Sequence, residues 1–363
     1  MSSSPFSIYP IVDCIPPDHV NFILINREDS PFYLQIPLAI INALVLQPRK
    51  YLNFLGWCIL GVKGGLRHNG AIITASGALD SGETYYFEAD GDEATDFRHA
   101  IDLEVIQERS SVPSGETGGD KTFRSDLLER DQYCVWTGAS LGAGTHIIPH
   151  ARSSEWFQSI IANRPSYGED IAGLTDINDI RNGFFSNPNA RALFDCRNVA
   201  ILKTPNEILD TTDVRKRHPR PSMPPTVSFP SGRRYTMQWL APPDPYLQSV
   251  PNNCDAAFGT AAGKGMPSDL LLHYNYGAAA VLRWGRGLET LWLCSASRRP
   301  TISPPPKTGA GAGAGEAEDA DARWDADDVV LFLWGNTKAA RQRRAKEEEE
   351  DAQRLEQWRA GVS

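Results

Sequence analysis

Tyr133-Cys134-Val135-Trp136-Thr137-Gly138 opens the stretch that decides how this chain is read. Three further runs follow: Thr145-His146-Ile147-Ile148-Pro149-His150, then Asp176-Ile177-Asn178-Asp179-Ile180-Arg181-Asn182-Gly183, then Ser186 through Ala190-Arg191-Ala192-Leu193-Phe194-Asp195. The first two runs are apolar, and Gly138, Gly142 and Gly144 stand between them. That pattern predicts a strand over Tyr133–Thr137, a turn over Gly138–Gly144 and a second strand over Thr145–Pro149. Pro188 one or two residues after Ser186 and Asn187 predicts a helix start there, since proline tolerates the first helical position.

In this order and at this spacing the four runs resemble the HNH nuclease family, in particular its AHIIP-type branch found in large fungal protein sets. The resemblance covers about residues 121–210 and continues more loosely through Asn253–Ala256 and Tyr274–Ala279. It implies a ββα-metal module folded around one divalent cation (Mg, Mn or Zn) that stabilises charge on the scissile phosphate and the leaving oxygen. His146 falls on the family's histidine, with Thr145 in place of alanine, and by the resemblance is the general base that takes a proton from water. Asn182, inside an Asn-Gly, falls on the asparagine that orients that histidine.

The family's metal-binding histidine lies nine residues after the asparagine, and here that position is Arg191, a register fixed by Leu193-Phe194-Asp195. An arginine keeps its proton and only donates, so it ligates no cation. It suits a phosphate instead, and it reads equally as a solvated helix arginine. Asp195, one turn further on the same helix face, is the remaining candidate metal ligand, with His150 or Asp179 as helpers. Taken alone, His150 reads as a loop histidine and Cys134 as a small core residue. The implied function is a metal-dependent endonuclease that hydrolyses phosphodiester bonds of nucleic acid, DNA first. The alternative, which Arg191 favours, is a catalytically degenerate HNH-fold protein acting as a nucleic-acid-binding or interaction module.

Composition bounds these readings. The chain has 363 residues and a net charge of −9, which argues against a surface that binds nucleic acid all over. Residues 121–220 hold 13 Lys/Arg against 12 Asp/Glu, so this segment is near neutral within an acidic chain. The cysteines at 14, 58, 134, 196, 254 and 294 form no C-x-x-C pair and so predict no zinc ribbon. No charged-then-apolar leader opens the sequence, and the longest apolar run, Ile36 to Leu46, is too short to span a bilayer. The expectation is a protein of the nucleus or cytoplasm with reduced thiols and no membrane partner.

Outside the motif region, the expected class is α+β. Residues 1–16 are Ser- and Pro-rich and read as a disordered terminus. Residues 17–110 read as strand-rich, with strands over Val20–Ile25, Phe32–Ile36, Ala71–Thr74 and Thr84–Phe87. Ile36–Val45 and Tyr51–Leu60 fit a strand or a buried helix. Helices are predicted over Asp92–Glu108, Lys121–Arg130 and Ser153–Asn163, with a Ser/Gly/Pro linker at 109–120. The HNH-like module at 121–210 is followed by an α/β extension at 211–298. That extension holds a basic stretch at Arg215–Arg220, read first as a polar loop and second as a nucleic-acid contact, a strand over Tyr235–Leu240, and a helix or helix pair over Ser268–Gly285. Residues 299–323 read as a disordered linker, and 324–363 as a charged C-terminal helix.

Overall fold

Gly61 and Pro48 settle the first ambiguity. Proline at the first position and a left-handed glycine (φ 76°) just past the end bracket a helix rather than a strand. The computed structural model describes residues 15–27, 30–90, 97–102, 118–150, 153–218, 224–242, 250–259 and 265–295. These belong to one compact unit; the second unit, residues 110–115 and 301–363, lies outside them. The expectations for residues 1–14, 299–323 and 324–363 therefore fall outside the described residues.

The N-terminal half is α+β. Strands β1 (His19–Ile25) and β2 (Phe32–Pro37) lead into helices α1 (Leu38–Leu44) and α2 (Pro48–Leu60). The run Ile36–Val45 is thus strand and then helix, divided at Pro37. Strands β3 (Gly64–His68), β4 (Ala71–Ile73) and β5 (Thr84–Ala89) follow. The predicted helix over Asp92–Glu108 lies mostly outside the described residues, and the part described, Phe97–His99, is a single 3-10 turn. Helix α3 (Gly118–Asp131) starts inside the stretch expected to be linker.

The motif region then supplies β6 (Ala143–His146), α4 (Ser153–Ala162), β7 (Gly183–Ser186) and α5 (Pro188–Asp195). The remainder is β8 (Val199–Thr204), β9 (Val227–Ser228), β10 (Arg234–Trp239), β11 (Cys254–Asp255), β12 (Phe258–Gly259), α6 (Asp269–Trp284), β13 (Gly285–Arg286) and α7 (Leu288–Ser295). One sheet runs β13-β2-β1-β5-β3-β4, antiparallel except for the β1–β5 pair. A second sheet is β11-β10-β8, antiparallel, with Lys203 directly opposite Tyr235. The basic stretch predicted as a polar loop is pinned: Arg215 donates to the Asn42 carbonyl and Arg217 pairs with the buried Asp255. Among the described residues no helix is long and apolar enough to cross a membrane.

Helix α6 is one continuous helix, buried on nearly every side, so it is apolar around most of its circumference, with His273 and Asn275 as buried polar residues. Ser268 caps it by accepting from the Leu271 N–H. It crosses α2 where Gly277 meets the Cys58 backbone; a Cβ at 277 would lie 2.8 Å from the Cys58 carbonyl carbon and oxygen. Helix propensity alone makes Gly→Ala a gain of roughly 1 kcal/mol. At Gly277 the contact is with backbone, which cannot swing aside, so Gly277→Ala is expected to lose about 1–3 kcal/mol. Urea denaturation reads the sign, and a stabilised variant would refute the crossing. Near this crossing the Tyr51 and Tyr276 hydroxyls hydrogen-bond (2.8 Å), and Tyr276 donates to Gln238 Oε1 (2.7 Å), tying both helices to β10.

Candidate functional site

The partner of the histidine strand is β7, not the expected Tyr133–Thr137. Strands β6 and β7 pair antiparallel, with Thr145 opposite Phe184 and His146 opposite Gly183. Residues 134–139 form a closed turn instead. The Gly138 N–H donates to the Cys134 carbonyl (2.8 Å), the Cys134 N–H donates to the Ala139 carbonyl (2.8 Å), and Gly138 takes φ 75°. That conformation is what a glycine supplies and what an apolar, β-branched composition conceals. Val135 still touches β7, its N–H donating to the Phe185 carbonyl. The second predicted strand also shifts, covering Ala143–His146 rather than Thr145–Pro149.

Asn182 explains where that strand stops. It is fully buried. Its Oδ1 accepts from the Ile148 N–H (2.9 Å), and its Nδ2 donates to the carbonyls of Ile148 (3.0 Å) and Ile177 (2.7 Å). After His146 the chain is bonded to Asn182 itself, the Ile147 N–H donating to its carbonyl (2.8 Å) and Ile148 to its amide, and the ladder with β7 ends there. Asn182 therefore acts on the residues beside His146 through the backbone, and its amide bonds to Ile148 and Ile177 rather than to the imidazole. The side chain bonded to the ring is Asn178, whose Oδ1 lies 3.1 Å from His146 Nε2. With that oxygen as acceptor the ring carries its proton on Nε2, and the basic lone pair sits on Nδ1. Phe123 of α3 stacks flat on the imidazole, centroids 3.8 Å apart at 9°. The His150 ring lies 5.7 Å away, tilted by 53°.

The run Asp176–Gly183 is a chain of side-chain-to-backbone turns. Asp176 accepts from the Asn178 N–H (2.9 Å) and Asp179 from the Arg181 N–H (2.8 Å). Asp179 also takes both Nε and Nη2 of Arg181 (3.0 and 2.8 Å). Burial pushes the Asp179 carboxyl up, but its bonds with Arg181 outweigh this and hold it below the usual carboxylate range. It is thus committed to Arg181. The sequence signal for Asn178 was the repeated Asp/Asn spacing itself; Phe123, from a helix far back in sequence, left none.

Beneath this turn lies a buried ion pair. Arg130 donates to both oxygens of Asp131 (2.6 and 3.0 Å) and to the carbonyls of Ile180, Gly183 and Gly265. Asp131 Oδ2 also accepts from the Phe185 N–H (2.7 Å). The two side chains thereby clamp α3 to β7 and to the turn that carries Asn182.

Helix α5 starts as predicted, with Asn187 Oδ1 accepting from the Ala190 N–H (2.8 Å) and Pro188 in the first turn. Arg191 and Asp195 pair with each other across one turn, Nε to Oδ2 at 3.5 Å, both partly exposed. The residues present do not fit a divalent cation. Arg191 stands where the resemblance places a ligand histidine, the Asp195 carboxylate faces its guanidinium, and Asp179 is held by Arg181. Among the described residues no three His, Cys, Asp or Glu side chains gather closely enough to hold a metal. No known protein family, curated protein or solved structure matches the chain.

Proposed function

We propose that this chain is a degenerate relative of the HNH nucleases, a ββα module that engages the sugar–phosphate backbone of nucleic acid, DNA first, without metal-assisted cleavage. The observation that carries this reading is Arg191, which stands where the resemblance calls for a ligand histidine and pairs with the one carboxylate left on that helix face. A guanidinium on the helix that follows the β6–β7 pair offers donors to a phosphate oxygen. The pair with Asp195 is partly exposed and weak, so a phosphate can compete for Arg191. A nuclear or cytoplasmic place of work belongs to the same reading.

One observation favours the endonuclease instead. Asn178 Oδ1 lies 3.1 Å from His146 Nε2 and orients the imidazole, as a general base requires. A single experiment divides the two. Purified wild type, His146→Ala, Arg191→Ala, Arg191→His and the double variant Arg191→His/His146→Ala are incubated with supercoiled plasmid and Mg²⁺, Mn²⁺, Ni²⁺ or Zn²⁺, and duplex binding is followed by fluorescence anisotropy. The expected result is binding without nicking by wild type, and about tenfold weaker binding by Arg191→Ala. Arg191→His is expected to nick in a way that His146→Ala on the same background abolishes. Nicking by wild type that His146→Ala removes would establish the endonuclease. Absence of duplex binding would sink the proposal.

A further inference from the structure

A cavity that His146 does not line opens beside the start of α6. It is open to solvent, has a volume of about 460 Å³, and is lined by Asp170, Arg181, Lys203, Arg233, Tyr235 and Asp269 among others. That volume falls in the range of small-molecule sites, roughly 300–1,000 Å³. Lys203 and Tyr235 face it as direct ladder partners on β8 and β10, and the start of α6 forms one wall. The Tyr235 side chain is 1% exposed, and its ring is held edge-on against Phe258, centroids 5.4 Å apart. Its ring is therefore fixed in the cavity wall.

The charges on the walls are mostly committed. Lys203 pairs with Asp269, and Arg181 with Asp179. The Asp170 carboxylate accepts from the Ser268 hydroxyl (2.6 Å) and from the Asp269 and Leu270 N–H groups (3.1 Å each), serving as an anion on the N-terminus of α6. Arg233 is different. It is exposed, stands just before β10, and lines the same cavity as Tyr235. Among the described residues no carboxylate is in ion-pair contact with it. A guanidinium and a phenol O–H on the walls of one cavity are both donors, so both can point at one acceptor.

We propose that this cavity binds a small organic oxyanion, its carboxylate or phosphate end held by Arg233 and the Tyr235 hydroxyl, and its hydroxyl or amino groups meeting the Lys203–Asp269 pair. The site is independent of Arg191 and His146. Calorimetric titration of the full chain with citrate and with glycerol 3-phosphate supplies the carboxylate and phosphate arms, and glycerol at matched ionic strength is the neutral control. At least one anion is expected to bind saturably while glycerol does not. Arg233→Ala is expected to weaken that binding about tenfold or more, and Tyr235→Phe several-fold. Arg233 is exposed, so its variant keeps the fold, and thermal unfolding checks that it does. His146→Ala and Arg191→Ala are expected to leave the titration unchanged. The proposal fails if neither anion binds at millimolar concentration, if glycerol binds equally, or if Arg233→Ala binds like wild type.

Discussion

Asp131→Ala is expected to cost about 3–5 kcal/mol, the loss seen when one partner of a buried ion pair is removed. Arg130 is 2% exposed and Asp131 is fully buried, so neither charge is screened by water. Deleting the carboxylate leaves the guanidinium unpaired in the interior and strips the Phe185 N–H of its acceptor. The damage reaches the candidate site directly, because the same guanidinium holds the Ile180 and Gly183 carbonyls on either side of Asn182. Replacing both side chains with apolar ones of similar size is expected to cost less than Asp131→Ala alone, since no orphan charge remains. Urea denaturation of the two singles and the double variant measures the coupling. A loss near 1 kcal/mol for Asp131→Ala would show that the pair does not clamp α3 to β7. By contrast the Arg191–Asp195 pair is partly exposed, and Asp195→Ala is expected to cost well under about 1 kcal/mol.

What the sequence made legible was the local chemistry. Pro188 after Asn187 marked the start of α5, and Ser268 marked the start of α6, because capping is decided by two or three neighbouring residues. The order His146, Asn182 and Arg191 marked a strand, a turn and a helix that are adjacent in the fold. What could not be read was pairing. Tyr133–Thr137 has strand composition, yet the β7 residues take the place of a hairpin partner from 37 residues beyond His146, His146 facing Gly183. Nothing local distinguishes an apolar turn closed by a left-handed Gly138 from an apolar strand. The roles of Asn178 and Phe123 escaped for the same reason. Each acts on His146 across a long stretch of chain, one from a turn and one from a helix. The resemblance singled out Asn182, but not that its amide would be spent on the Ile148 backbone.

Acid is expected to destabilise the fold through His273. Its side chain is 1% exposed and lies among the rings of Trp57, Phe54 and Tyr167, with centroids at 4.8, 5.5 and 5.6 Å. The Tyr167 hydroxyl meets its Nδ1 at 2.8 Å. Burial, with Lys203 and Arg164 adding positive charge nearby, pushes its pKa down from 6.5 to about 3. The folded protein therefore keeps this imidazole neutral, while the unfolded chain takes up a proton once the pH falls below about 6.5. Between those two values the unfolded state binds the extra proton, so stability is full above the window and falls with pH inside it. The slope is on the order of 1 kcal/mol per pH unit for this one group. Carboxylates add their own acid dependence, so the comparison is with His273→Phe, which keeps an aromatic in the same surroundings and cannot titrate. Urea unfolding of both proteins from about pH 6.5 down to about pH 4.5 should show a shallower decline for the variant. The packing cost of the substitution shifts its curve as a whole and leaves the slope untouched. Parallel slopes would mean that His273 takes up its proton without unfolding, and that the aromatic pocket around it admits water.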